Sequence, residues 1–434
     1  MRLVVALFVL TCGAVVAFAD EPRPLVGARV EGDSKVTQTT ALRLARVSLG
    51  EPITDAQIPG LEAALLSSEL FKNVKLRLEP VEGGYVLVAT LDDKQSWIVA
   101  PTLYLLPGSY SFGTGYAENN LFGDEKKLLL YGQYGNNTSL FFGTYLDPAV
   151  RGSRLILRFD VYVLHRAINE YRNPQNNKTD YAIDRSTTWN FLDAGILAGW
   201  RHRWWLTSDL RFKPAYAFFT DVEASDPALR VKPDRDGWDM SMQGRFTIDR
   251  RRHRYGVTWG PYLQLIADVA IPGVDDYDYQ VLAGRAYYSL KFFAEHQLEF
   301  RVSAGIGRHL PIHEELVMGG VGDLRGYIGD QFRGDRRLTG RTEYSVPLVK
   351  WRSFAFRALG FFDAGYLAYR WRDPDSRQYL PSQFNGASWK RSDVGAGLRV
   401  YVGSVVLPLL GFDVAYGLEG KRTEVVFEIG LTDF

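Results

Sequence analysis

The sequence predicts an all-β transmembrane barrel of about sixteen antiparallel strands, preceded by one small α/β domain. Three observations carry this expectation. Apolar residues at helical spacing are confined to positions 25–93, whereas from residue 96 onward the apolar period is two. The alternating segments are long enough to cross a bilayer when tilted. The polar connections between them are long on one rim and short on the other, as in outer-membrane barrels. Composition excludes the competing classes. With 51 Lys+Arg against 50 Asp+Glu there is no positive excess to neutralise phosphates, so no nucleic-acid partner is expected. An aromatic content of 14% and a net charge of +1 exclude disorder, and a single cysteine excludes a disulfide scaffold. No window after the first twenty residues approaches the 18 apolar positions of a helical membrane span.

Residues 1–19 read as a signal peptide. Arg2 supplies the positive start, 3–18 an apolar run, and Ala17-Phe18-Ala19 small residues at both cleavage positions, with cleavage expected before Asp20. Too few apolar residues precede Cys12 for a lipoprotein signal. The mature chain then carries no cysteine, which suits an envelope compartment where stray disulfides are a hazard.

The α/β domain spans 20–95, with the order β-α-α-β-β. A strand is expected at 26–31 and a helix at 37–47, with Ala41, Leu42, Leu44 and Ala45 on one face. Gly50 closes that helix, Thr54 with Asp55 and Gln57 caps the next, and Ile58, Leu61, Ala64 and Leu65 give the second helix its apolar face. Strands at 74–78 and 85–91 follow, joined around Gly83-Gly84. This order, and the junction Ser67-Ser68-Glu69-Leu70-Phe71-Lys72-Asn73-Val74, resemble a POTRA domain, the periplasmic module of outer-membrane assembly and secretion proteins. Leu70 and Phe71 read as a structural plug, and the resemblance implies a strand edge able to accept another strand.

The barrel spans 96–434. Leu155, Leu157, Phe159, Val161 and Val163 share one face while Arg154, Arg158 and Asp160 share the other. The same pattern recurs at 394–402, with Arg399 on the polar face, and at 412–418, where Asp413 opposes Phe412, Val414, Tyr416 and Leu418. Such alternation puts lipid outside and water inside. Strand starts are expected near Ser96, Ser109, Lys126, Thr138, Ser153, Ser186, Arg203, Trp238, Tyr255, Asp278, Glu295, Arg336, Arg352, Lys390, Leu410 and Arg422. Long polar connections at 165–185, 219–236, 309–335 and 371–388 all fall on one rim; short ones at 200–202, 250–254 and 349–351 fall on the other. The basic run Arg250-Arg251-Arg252-His253-Arg254 lies in a short turn and reads as solvated or facing lipid headgroups rather than nucleic acid.

The long connection at 309–335 carries Leu324-Arg325-Gly326-Tyr327, which resembles the "(V/L)-R-G-(F/Y)" signature of the BamA/TamA and two-partner-secretion superfamily, the bacterial surface antigen family. Gly340-Arg341-Thr342-Glu343-Tyr344 and Phe361-Phe362-Asp363-Ala364-Gly365 resemble two strands of the same family. Alternation turns Glu343 and Asp363 into the lumen. The resemblance implies that the loop folds back inside and that Arg325 bridges these two acids, a contact suited to a guanidinium fork. Gly326 would permit close backbone approach. The carboxyl end resembles an outer-membrane β-signal through Phe427, Ile429, Gly430 and the terminal Phe434, although Phe434 has the wrong parity for an uninterrupted strand.

The resemblance implies a non-enzymatic protein of the cell outer membrane of a Gram-negative-type bacterium. The POTRA-like domain would lie in the periplasm, and the protein would work without cofactor or metal. Its partners would be outer-membrane lipid, unfolded client polypeptides (barrel precursors or a secreted partner) and periplasmic chaperones or accessory proteins. The leading expectation is an assembly factor that inserts client barrels by β-augmentation at a lateral seam between segments 96–105 and 422–432. Pro101 and Pro107 remove donors near the first strand. The alternatives are a two-partner-secretion exporter, and a passive porin or a barrel enzyme. The six histidines, at 165, 202, 253, 296, 309 and 313, show no catalytic or metal spacing and read as scattered on the surface.

Overall fold

A computed structural model of the chain describes residues 22–68, 70–171, 182–254, 257–293, 295–352, 354–370, 388–402 and 408–429. The expected signal peptide, most of connection 371–388, and Gly430 and Phe434 lie outside them.

The amino-terminal unit consists of β1 (Arg23–Glu31), α1 (Gln38–Ala45), β2 (Pro52–Ile53), α2 (Ile58–Leu66), β3 (Phe71–Val81) and β4 (Gly84–Asp93). Thr37 caps α1 by accepting from the Thr40 N–H at 3.3 Å, and Arg46 ends it in the left-handed region at φ 66°. Thr54 and Gln57 form a reciprocal capping box that starts the single 3-10 turn leading into α2. Leu25, Ala41, Leu65, Phe71, Leu87 and Leu91 make the core. Phe71 opens β3 rather than ending a helix, and at 1% exposure it is the plug its sequence position suggests.

The expected order β-α-α-β-β needs one correction, because two-residue β2 pairs with β1 between the helices. The sheet order is therefore β2-β1-β4-β3, with β1 and β4 parallel and β3 as the long outer edge. Two residues flanked by turn signals are too short for any periodicity to report.

Sixteen antiparallel strands then close a barrel among the described residues, each pairing with its chain neighbours and the last with the first. Each begins within three residues of its expected start. Outward positions such as Phe159, Leu192, Leu210, Leu265, Leu338 and Phe362 form an exposed apolar band, while Asp160, Lys213, Asp239, Asp363 and Asp413 are buried on the lumen side.

Two of the long connections are shorter than expected. The fifth to seventh strands, Leu155–Tyr171, Ile183–Arg203 and Leu206–Ala224, run 17, 21 and 19 residues, so 165–171 and 219–224 are strand. A tilted span needs about 9–11 residues. The surplus stands beyond the bilayer, and its ladder is polar because water, not lipid, faces it. The basic run is likewise not one turn: Arg252–Arg254 pairs with Val257 to Trp259, and 349–351 completes a strand that ends at Trp351. Backbone pairing continues there because neighbouring strands supply partners whatever the side chains are.

The α/β unit meets the short-turn rim. Thr37 N–H donates to the Gly123 carbonyl at 3.2 Å, Arg43 pairs with Glu125, and Arg43 also donates to the Asp124 carbonyl at 3.2 Å.

Candidate functional site in the lumen

The connection between the eleventh strand (His296–Arg308) and the twelfth (Arg336–Trp351) turns into the barrel instead of projecting from it. Leu316–Met318 and Phe332–Gly334 pair as a short antiparallel ribbon, and the tip between them holds Leu324 to Tyr327. Met318, Leu324, Tyr327 and Phe332 pack with Leu367 and Trp389 of the wall into one apolar cluster. A loop with this many large apolar residues is drawn to the wall by burial before any ion pair forms.

Arg325 is 0% exposed. Its fork grips Asp363, with Nε to Oδ2 at 2.8 Å and Nη2 to Oδ1 at 3.1 Å. Nη1 donates to Glu343 Oε2 at 3.1 Å and to Asp413 Oδ2 at 3.3 Å. The Phe361 ring lies against the guanidinium, its centroid 3.3 Å from Cζ. Burial by itself would lower the pKa of Arg325, but Asp363 with Glu343 and Asp413 more than reverses this and raises it. The cation is therefore permanent, and the carboxylates hold the loop with charge-assisted bonds.

Four consecutive strands supply the acids. Glu343, Asp363, Asp393 and Asp413 come from the twelfth to fifteenth strands (Arg336–Trp351, Phe354–Ala368, Ser388–Val402 and Pro408–Gly417). Asp393 accepts from the Gly326 N–H at 3.0 Å. A Cβ on Gly326 would sit 2.7 Å from the Gly417 nitrogen and from Asp393 Cβ, so no larger residue fits. Gly365 provides matching space in the wall, where a Cβ would meet Met318 Sδ at 2.5 Å. Tyr327 donates to Glu419 at 2.7 Å, and Leu324 is buried in the cluster above.

Arg325, Glu343 and Asp363 thus meet in one site. The sequence reading did not place Asp413, Asp393, Phe361, Arg341 or Arg399 in this site. Arg399 grips Asp413 through two bonds of 2.6 and 2.7 Å, and Arg341 donates to the Val321 carbonyl at 3.0 Å and lies 3.4 Å from Asp363. The alternation already turned Asp413 inward; only barrel curvature shows which inward acids converge. Of the carboxyl-terminal residues, Phe427 and Ile429 lie on the sixteenth strand, Arg422–Ile429, and pair with Leu105 and Leu103 of the first strand, Trp97–Leu106.

A second cluster holds the other limb of the loop and corrects the reading of scattered histidines. The His313 side chain is fully buried, bonded to Asp239 Oδ2 at 3.1 Å and stacked on Trp189 with centroids 5.5 Å apart. Lys213 Nζ donates to Asp239 at 3.0 Å, Glu314 at 2.6 Å and the Tyr279 hydroxyl at 2.9 Å. Ligating atoms of Asp239, His313 and Glu314 lie within 4.8 Å of one another, a metal-like grouping. The Lys213 ammonium already provides the cation these acids need. Replacing Lys213 by Met should leave buried Asp239 and half-buried Glu314 uncompensated, costing about 3–5 kcal/mol locally. Hydrogen exchange at 312–314 should then rise by orders of magnitude, and unchanged protection would remove the anchoring role.

The sequence profile of the Omp85 superfamily domain matches residues 120–432. The chain belongs to the Omp85 superfamily. It is an outer-membrane β-barrel protein of this superfamily. The outer membrane protein assembly factor BamA of Nitratidesulfovibrio vulgaris is 22% identical over 437 residues, which cover 93% of this chain and 50% of that protein. The chain spans about half the length of this curated relative. Two solved structures share the fold: BamA from Haemophilus ducreyi lacking POTRA domains 1–3, with TM-score 0.61 and 13% identity over 94% of this chain and 84% of that one, and CdiB from Acinetobacter baumannii, with TM-score 0.64 and 14% identity over 94% and 74%.

Proposed function

We propose that this Omp85 protein is an assembly factor that inserts client barrels into the outer membrane, opening between its first and last strands and pairing the freed edge with an incoming strand. One observation carries the reading. The closing ladder consists, among the described residues, of Phe427 with Leu105, Glu428 with Tyr104 and Ile429 with Leu103. Among the described residues the other junctions of the ring are longer; the fifteenth and sixteenth strands match from Leu410 with Ile429 to Gly417 with Arg422. The first and last strands are joined through this closing ladder, so a break there opens the ring, and an opened strand presents unpaired N–H and C=O groups to a partner. Pro101, on the first strand, brings no N–H to the ladder.

The α/β unit fits a periplasmic POTRA-like domain behind a cleaved signal peptide. Its β1 edge is covered by β2, which leaves β3 as the edge able to accept an unfolded client or an accessory protein. The loop held by Arg325 occupies the lumen, an arrangement that favours an assembly role over an open porin.

Photo-crosslinking from Leu105 in cells tests the reading. An insertase gives adducts with the terminal strands of nascent barrels. Adducts with a secreted polypeptide from lumen positions, and none from Leu105, would instead assign export through the barrel.

A further inference from the structure

The arginines that the loop lock and the seam leave unused converge at one place on the rim that carries the α/β unit. Arg46, the left-handed residue closing α1, lies with Cζ 3.8 Å from the centroid of the Trp204 ring. Trp204 and Trp205 form the turn between the sixth and seventh strands, and Arg250 lies with Cζ 5.7 Å from the Trp205 ring. Burial, and after it the positive charge of Arg252, push the pKa of Arg46 down. Two guanidiniums, one from each domain, therefore lie against a pair of adjacent indoles, and Arg252 adds a third positive charge that acts on Arg46.

Their neighbours are neutralised and they are not. Arg251 is held by Asp249 at 2.7 Å, and Arg43 by Glu125. Among the described residues no carboxylate pairs with Arg46, Arg250 or Arg252. Like charges gathered on rings without a counter-ion within the protein leave room for an external anion.

The barrel wall says where that anion comes from. Trp200, Ser208 and Phe246 are opposite one another in the ladder, and Trp200 and Phe246 are exposed on the outer apolar face. Trp204, 45% exposed, continues this face to the rim. Indoles mark the boundary between hydrocarbon and headgroups, and arginines just beyond them reach phosphate depth.

The geometry points to a binding site for the phosphate of an anionic phospholipid, from the leaflet at this rim, formed by Arg46, Arg250 and Arg252 around Trp204 and Trp205. The phosphate neutralises both domains at once, so the lipid fastens the α/β unit to the barrel beside the turn at 203–206. Planar guanidiniums suit a phosphodiester, which offers two oxygens to paired donors.

The full-length protein reconstituted in phosphatidylcholine nanodiscs doped with phosphatidylglycerol tests this. Native mass spectrometry after release counts the lipids that stay bound. The wild-type protein should retain phosphatidylglycerol over phosphatidylcholine, and the R46Q/R250Q/R252Q variant should lose that preference by roughly tenfold or more. Heat-modifiable mobility of the variant reports its folding; if it fails to fold, R250Q alone should show a partial loss. Equal retention by wild type and variant overturns the site. Full displacement of the lipid by millimolar inorganic phosphate also overturns it, because the site then takes a free anion.

Discussion

Arg325→Ala should release the lumen loop and abolish most of the proposed assembly activity. The side chain is fully buried, and three carboxylates, Asp363, Glu343 and Asp413, converge on it. Removing one partner from such a cluster leaves buried charges without compensation, at about 3–5 kcal/mol. The apolar contacts of Leu324 and Tyr327 with Trp389 and Leu367 remain, so the loop should loosen without the barrel unfolding. Hydrogen exchange across 319–331 should rise by two or more orders of magnitude. Arg325→Lys should rescue little, because an ammonium cannot hold both oxygens of Asp363 while reaching Asp413. Pairing Arg325→Ala with Asp363→Asn should recover part of the lost protection, since the uncompensated carboxylate is then gone. Wild-type exchange and activity in Arg325→Ala would end the account of the loop as a lock.

Joining the first and last strands covalently should have an equally large effect with no loss of stability. Tyr104 and Glu428 are directly opposite in the closing ladder, where facing Cβ atoms stand about 4.5–5.5 Å apart. Tyr104→Cys with Glu428→Cys should form a disulfide under oxidation. If insertion requires the seam to open, the oxidised protein should lose at least about tenfold in client assembly and recover on reduction. The chain's one native cysteine, Cys12, lies within the expected signal peptide, so a mature chain would carry no competing thiol. Full activity of the oxidised protein would direct attention to the lumen and to export.

Much of the barrel was legible because a strand in a bilayer wall has a period of two and no freedom to shift it. One register step would turn Phe362 inward and Asp363 into lipid, so the alternation around Glu343, Asp363 and Asp413 encodes direction as well as structure. The loop signature was legible for a related reason. Leu324-Arg325-Gly326-Tyr327 resembles the family's signature, which implied the bridge, and alternation added the inward direction of the two acids it meets. Two-residue β2 left no pattern, and the strands rising past the bilayer at 165–171 and 219–224 looked like loops because their exposed ladder is polar.

Alternation and turn spacing, which are properties of neighbours along the chain, determined by themselves the strand number and the lipid and lumen faces, with Glu343 and Asp363 turned inward; the pairing of Arg325 with these acids was implied by the resemblance to the family. The folded molecule alone decided which distant residues meet. Closure of the cylinder brings Asp413 within reach of Arg325, 88 positions away, and Lys213 to Glu314, 101 positions away. It also brings the last strand beside the first, and docking of the α/β unit on the rim sets Arg46 against Trp204. These contacts depend on curvature and strand stagger, which are set by the whole ring and are not written in any local stretch of sequence.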